Sequence, residues 1–338
     1  MVLAMNAKIT FSKTKSHNKI VLKKVTSVHI ESSWKRLTDT AIITIPRNVI
    51  FIDDQKIKLS IKDVNRFFKK GDPVCIELGY NGQFYKEFEG YVTEVSADIP
   101  IVIKCEDEMY QLKKKSINIS LEKATLKGLL TKILPGYDMD ILEGTEIGDV
   151  IFPNKTVPEA LEYLRDELGL YSYFKGKQLV SGKIYQDDAK YYKDNPNLKP
   201  IKLHLEKNVV NNDLNYRNKE DVLIKIIAIS MQTYGDKLQV EVGDKYGLEK
   251  KLQYPMNITV KAELTKAAER DLKKFKIDGF AGSITAYGIP VINHGNKVDL
   301  VSDLYPDRNG LYYVEEKVID FDENGFRRKV QFGDKVTA

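Results

Sequence analysis

Cysteine, tryptophan and histidine are scarce in this chain of 338 residues, which holds two Cys, one Trp and four His. Two cysteines cannot build a disulfide framework, and their number fits synthesis in a reducing compartment. The histidines, at positions 17, 29, 204 and 294, form no His-Glu-x-x-His pair. That leaves out the common zinc-hydrolase patterns. No run of 18 apolar residues occurs, so the sequence predicts no membrane-spanning helix. Residues Met1 to Lys8 lack a basic segment followed by an apolar one and predict no secretory leader. An excess of one charge sign is missing too: 53 Lys and Arg stand against 48 Asp and Glu, a net +5. Without a localised patch, that balance gives no electrostatic footprint for nucleic acid.

The composition that is present, 42% hydrophobic and 30% charged, reads as soluble and globular. The length predicts two to three domains, and a chain of this size needs no disulfide or metal staple. Aromatic content leans on 19 Tyr and 13 Phe, which favours strands and interfaces.

The first 112 residues read as short strands. Val28 and Ile30 alternate with polar neighbours, and Thr40–Ile45 is a β-branched run closed by Pro46. In Gly71–Tyr80, Val74, Ile76 and Leu78 share a face. Asn81-Gly82 predicts a two-residue hairpin, because a type I′ turn needs positive φ at both positions. Phe88–Val95 and Ile101–Cys105 follow, a spacing that suits a barrel or sandwich. Beyond Lys113–Lys115 the periodicity changes. Leu126, Leu129, Leu130 and Ile133 predict a helix stopped by Pro135-Gly136. Thr156 and Glu159 have capping-box spacing before a stripe of Val157, Ala160, Leu161, Leu164 and Leu168, and Gly169 ends it. Leu170–Phe174 and Gln178–Val180 read as a hairpin. Residues 186–221 are polar but contain the strand-like Ile201–Leu205, and so read as a domain crossing with ordered pieces. Strands resume at Val222–Ile229 and Leu238–Val242. A third helix is predicted over 261–276, with Leu264, Ala268, Leu272 and Phe275 on one side, followed by strands to Phe332.

The end of the first region and the end of the chain echo one another. Gly71-Asp-Pro-Val leads to Gly90-Tyr-Val-Thr-Glu-Val95 and then Ile101 to Asp107. Gly295-Asn-Lys-Val leads to Tyr313-Val-Glu-Glu-Lys-Val318 and then Lys329 to Asp334. Near-constant offsets across three strands predict one supersecondary unit used twice, against the alternative of two unrelated meanders with generic turns.

Three segments carry a wider likeness. They are Ser32-Ser-Trp-Lys-Arg-Leu-Thr-Asp-Thr-Ala-Ile-Ile-Thr-Ile-Pro46, Phe68–Tyr80 with Phe88-Glu-Gly-Tyr-Val92, and Ala286-Tyr-Gly-Ile-Pro-Val-Ile-Asn-His-Gly295 with Gly310-Leu-Tyr-Tyr-Val314. With the Thr156–Gly169 helix, this pattern resembles the baseplate hub proteins of contractile phage tails, the late control protein D group, and more distantly the VgrG-type hubs of type VI secretion. The resemblance covers most of the chain through individually loose motifs, and the long C-terminal β-spike of VgrG-type proteins has no counterpart. It implies a mainly β fold with α+β parts: two tube-like β-barrels flanking a small α/β middle domain. The expected spans are 1–112 for the first barrel and 113–205 for the middle domain. The second barrel takes 206–244 and 284–338, with a helical insertion at 245–283. It further implies a homotrimer that joins a six-fold tail tube to a three-fold spike. The expected partners are copies of itself, the tube protein, the spike protein and other baseplate proteins, with at most transient contact with DNA in a lumen and no membrane anchoring. The expected location is the virion tail, assembled in the host bacterial cytoplasm. A type VI or injection-particle hub, and a nucleic-acid-binding OB-like barrel protein, are the competing readings.

A hub implies no catalytic, cofactor or metal residues, and the motif tests agree. Asp320-Phe-Asp-Glu-Asn-Gly325 opens like an EF-hand loop, but Gln331 occupies the position of the bidentate Glu and Arg328 position 9. Asn324-Gly325 reads instead as a hairpin turn. Gly176 with Gly182-Lys183 misses the phosphate loop, since five residues intervene instead of four and Ile184 replaces Ser/Thr. Cys75 and Cys105 read as small strand residues, Asp138, Asp140 and Glu143 as a solvated acidic loop, and no Gly-x-Ser-x-Gly elbow occurs. The basic pairs at 23–24, 69–70, 113–115, 250–251, 273–274 and 327–328 read mostly as solvated faces. An enzyme is not expected.

Overall fold

The computed structural model describes residues 3–14, 18–46, 50–53, 58–60, 67–96, 99–183, 200–232, 236–306 and 309–336; His17 and the polar run 186–199 fall outside them. The fold is mainly β. The first part contributes strands β1 (Met5–Phe11), β2 (Ile20–Leu22), β3 (Ser27–Ser33), β4 (Thr40–Ile45), β5 (Ile50–Asp53), β6 (Lys58–Ser60), β7 (Pro73–Tyr80), β8 (Gln83–Val95) and β9 (Ile101–Glu106). Side chains alternate across a strand with period two, and here one set builds the core: Ile9, Phe11, Val28, Ile30, Ile43, Ile45, Val74, Ile76 and Leu78 are all buried together. The β7–β8 hairpin turns at Asn81 and Gly82, with φ of 52° and 83°, as the type I′ reading requires.

A short helix, α1 (Met109–Leu112), leads into the middle part. It holds β10 (Ser116–Thr125), α2 (Leu126–Ile133), β11 (Met139–Ile141), β12 (Glu146–Thr156), α3 (Val157–Leu168), β13 (Tyr171–Lys175) and β14 (Gln178–Gly182). The stripe of α2 is buried in full, as are the five stripe residues of α3. Both halves of the capping box form: the Thr156 amide donates to Glu159 at 2.6 Å, and the Glu159 amide donates to Thr156 Oγ1 at 3.4 Å. Gly169 ends the helix in the left-handed region at φ 65°.

The last part runs through β15 (Ile201–His204), β16 (Val209–Arg217), β17 (Ile224–Met231), β18 (Lys237–Gly243), β19 (Leu248–Tyr254), α4 (Lys261–Phe275), β20 (Gly279–Tyr287), β21 (Lys297–Val301), β22 (Gly310–Asp322) and β23 (Gly325–Lys335). Of the span 206–244 expected in the second barrel, β16 joins the large sheet. β17 pairs instead with β18 on one side and β19 on the other, beneath α4. Ile227, Ile229 and Met231 of β17 also pack into the core of the middle part.

The echo is a tandem repeat of six strands. In the first part the order across the sheet is β1-β7-β8-β9-β4-β3, and in the last part β15-β21-β22-β23-β20-β16. Corresponding strands occur in the same chain order. Neighbours are antiparallel throughout, except that β15 runs parallel to β21 where β1 is antiparallel to β7. The turn entering each meander matches in its hydrogen bonds. The Gly71 amide donates to Val92 O at 2.7 Å and the Gly295 amide to Val314 O at 2.8 Å, while Val92 and Val314 donate back to Asp72 O and Asn296 O at 2.9 and 3.0 Å. The side chains of Asp72 and Asn296 accept from the amides of Lys69 and Asn293 at 2.8 and 2.9 Å. Gly71 and Gly295 have φ of 94° and 80°, where a side chain is disfavoured. Even the irregularity recurs, with register shifts between Val92 and Glu94 and between Val314 and Glu316.

The two copies, with β2, β5 and β6 added beside β1, form one sheet of 15 strands, joined where β22 pairs antiparallel with β3, Glu316 opposite Ser33 through Phe321 opposite Val28. Among the described residues its strand path runs open from β6 to β16, with β15 and β21 branching at β22. β22 reaches this joint because it runs on to Asp322, whereas its counterpart β8 stops at Val95. Its tip, with Ile319, Phe321 and Phe326, is buried in the first core. The two central residues of that tip are Glu323 and Asn324, with Asp322 opposite Gly325, so the turn is centred one residue earlier than the sequence suggests.

Candidate functional site

The three segments that carry the sequence likeness meet at the joint between the repeats. Arg328 on β23 is fully buried, and each of its five N–H groups has an acceptor. Its terminal nitrogens reach the two oxygens of Glu87 on β8 at 2.6 and 3.2 Å. The remaining bonds go to main-chain oxygens of the 286–295 segment, Gly288 at 2.8 and 3.1 Å and Ile292 at 3.1 Å. Lys317 on β22 donates to Asn293 Oδ1 at 2.6 Å and lies 3.7 Å from Glu87. Burial pulls the Lys317 ammonium below its ordinary range.

The pair Arg327-Arg328 therefore does not form a solvated face. Period two decides this, because Phe326, Arg328, Val330 and Phe332 all point inward. That alternation was the legible cue to the buried arginine; Glu87 had none, lying in a run of exposed residues that turns inward only at the joint.

The 32–39 segment closes the same joint from the other side. Ser32 Oγ and the Ser33 amide donate to Asp39 at 2.5 and 3.2 Å, and the Asp39 amide donates to Asp107 at 3.0 Å. Burial pushes the Asp39 carboxyl up to about 6, and burial beside Asp39 also raises Asp107. Lys35 pairs with Glu315 at 2.5 Å, and Arg36 bridges Glu31 and Glu316 at 2.5 and 2.8 Å. Trp34 stands edge-on to Tyr171 of the middle part, with ring centres 4.7 Å apart. Tyr91 and Tyr137 both donate to Glu108, at 3.0 and 3.1 Å, and tie β8 to the middle part. Their hydroxyls are pushed up to about 12 by burial and the Glu108 charge.

A cavity of about 160 Å³ lies at this meeting point, with Asp39, Glu87, Phe174, Asn293, His294 and Lys317 among its lining. His294 stands edge-on to Tyr173, and burial lowers its pKa to about 3, so it is neutral. Perturbed groups in a cleft are a feature of active sites, but buried ion-pair networks perturb them equally. Here the charged side chains are engaged with one another across part boundaries, and the arrangement holds three parts in one geometry.

Of the other residues weighed in the sequence, two histidines have carboxylate neighbours, one for each close by along the chain and the other brought by tertiary structure. His29 lies 2.7 Å from Asp320 and 3.2 Å from Glu31. His204 lies 3.0 Å from Glu206 and 3.1 Å from Asp303, the one group of metal-ligand type among the described residues. Glu206 also accepts from the Ser302 hydroxyl at 2.6 Å, which holds its carboxyl at about 2, so this cluster caps the end of β21. Cys105 is buried and Cys75 half-buried, both as free thiols raised by burial. Asp138 accepts from Gln178 at 2.9 Å and Glu143 from Lys127 at 3.2 Å. No helix among the described residues is long and apolar enough to cross a membrane.

The fold is that of phage tail proteins. A tail protein from Neisseria meningitidis superposes with a TM-score of 0.62 at 14% identity, over 98% of this chain and 97% of that one. The 43 kDa tail protein of prophage MuSo2 from Shewanella oneidensis gives 0.61 at 15% identity, over 98% of both chains. The Escherichia coli c3393 protein, a type VI secretion component, gives 0.57 at 10% identity, over 96% of this chain and 76% of that one. No family profile and no curated protein sequence matches this chain.

Proposed function

We propose that the chain is a structural hub of a contractile phage tail or prophage tail-like particle, with no catalytic role. The observation that carries this reading is the tandem repeat locked by the Arg328–Glu87 joint: one chain supplies two quasi-equivalent β-units in fixed relation. Three such chains in a closed ring present six units, the symmetry an adaptor needs between a six-fold tube and a three-fold spike. Heterologous contacts that close leave no free end to polymerise. In this reading each unit contributes to a tube-like wall, and the middle part with α4 lies away from the tube. The partners are copies of the chain, the tube protein and the spike protein, in the virion tail. Light scattering on purified protein at micromolar concentration tests it: the expected mass is three times 38.7 kDa. A monomer, or an even-numbered oligomer, refutes the adaptor. Submicromolar affinity for short DNA at physiological salt would favour the OB-like reading instead, since near-balanced charge supplies little counterion release.

A further inference from the structure

Repeat correspondence equates Val92, Glu94, Val95 and Ser96 of the first unit with Val314, Glu316, Lys317 and Val318 of the second, across the shared register shift. It likewise equates Glu31, Ser32 and Ser33 of β3 with Asn215, Tyr216 and Arg217 of β16, since both strands pair with equivalent partners, β4 and β20. Within the chain, Glu316, Lys317 and Val318 lie opposite Ser33, Ser32 and Glu31. Their counterparts are not joined in the single chain. Among the described residues β16 pairs only with β20, and beyond Val92 strand β8 pairs only with β9.

We infer that the open edge of β16 takes residues 94–96 of a second copy of this chain as an added antiparallel strand, with Glu94 opposite Arg217 and Ser96 opposite Asn215. An unpaired strand edge is a ready template for such addition. Charge supports this occupant. Glu94 is more than half exposed, and among the described residues its carboxylate pairs with Lys104 at 3.0 Å; Arg217 is exposed. In the joint within the chain, the carboxylate at the equivalent place, Glu316, already meets an arginine of the other unit, Arg36, at 2.8 Å. β8 ends at Val95 while β22 continues to Asp322, so the joint between chains is shorter and weaker than the one within.

This inference rests on the assembly reading above, and the test separates the two. Full-length wild type, Glu94→Arg, Arg217→Glu and the double variant are compared by light scattering across a concentration series. Circular dichroism confirms that these exposed changes leave the fold intact. Each single variant is expected to weaken self-association about ten-fold or more, and the double variant to recover to within about three-fold of wild type. Ser96→Cys with Asn215→Cys in one chain should give an oxidant-dependent ladder of covalent oligomers, and either cysteine alone should not. Association of wild type with indifferent single variants and no ladder overturns this joint and leaves the assembly reading standing. A monomeric wild type overturns both.

Discussion

Removing Glu87 tests whether the two units are locked or merely adjacent. Both it and Arg328 are fully buried as side chains, and the guanidinium places two of its five donors on that carboxylate. Glu87→Ala leaves a buried cation whose remaining partners among the described residues are the Gly288 and Ile292 carbonyls, and the repulsion between Arg328 and Lys317 loses the carboxylate that both of them face. Breaking one side of a buried pair costs about 3–5 kcal/mol. In urea unfolding of a chain this long, a slope near 3 kcal/mol/M turns that into a midpoint shift of about 1 M or more. Arg328→Met is expected to cost a similar amount by stranding Glu87. The double variant, with both charges gone, should fall short of the sum by about 2 kcal/mol or more, the mark of direct coupling. A cost below about 1 kcal/mol for Glu87→Ala, or simple additivity in the double variant, would refute the idea that this pair holds the joint.

Three further outcomes are expected. Thr156→Ala removes half of the capping box on α3 and should cost about 1 kcal/mol, read from the same urea midpoint; no change would mean that packing of the stripe alone fixes the helix start. Gly169→Ala places a Cβ 2.5 Å from the Lys251 carbonyl oxygen at a φ of 65°, so a loss of about 2 kcal/mol or more is expected by thermal or urea unfolding. Asp39 is raised in the folded state to about 6: the folded chain holds this proton more tightly than the unfolded one, so its contribution is full below about pH 4 and is lost as pH rises through 6. The urea midpoint of Asp39→Asn relative to wild type should therefore improve between pH 4.5 and pH 7.5, and a constant difference would exclude the titration.

The helices were the most legible elements. The stripe over Leu126–Ile133 and the boxed start and glycine stop of Val157–Leu168 are set by neighbours within a turn or two of chain, so local spacing specifies them. The Asn81-Gly82 turn is local in the same sense, since its backbone angles restrict the residue types allowed. The tandem unit could be read from the paired Gly71 and Gly295 turns, because each unit must meet the same steric demand where the meander begins. By contrast, α1 spans four residues and has too little sequence to show a period.

What the sequence determined by itself was the repeated meander, the caps and the alternation that turns Arg328 inward, all patterns of residue spacing along the chain. Only the tertiary structure decided what Arg328 meets. Its partner Glu87 is 241 residues away, and whether a buried charge is tolerable depends on desolvation and on the partner that compensates it. The joining of β22 to β3 belongs to the same class. Strand alternation says which face is buried, but carries no mark of which distant edge a strand will choose. That choice was made by the length of β22, by the shape of the first core that receives its tip, and by the Ser32–Asp39 segment that closes over it.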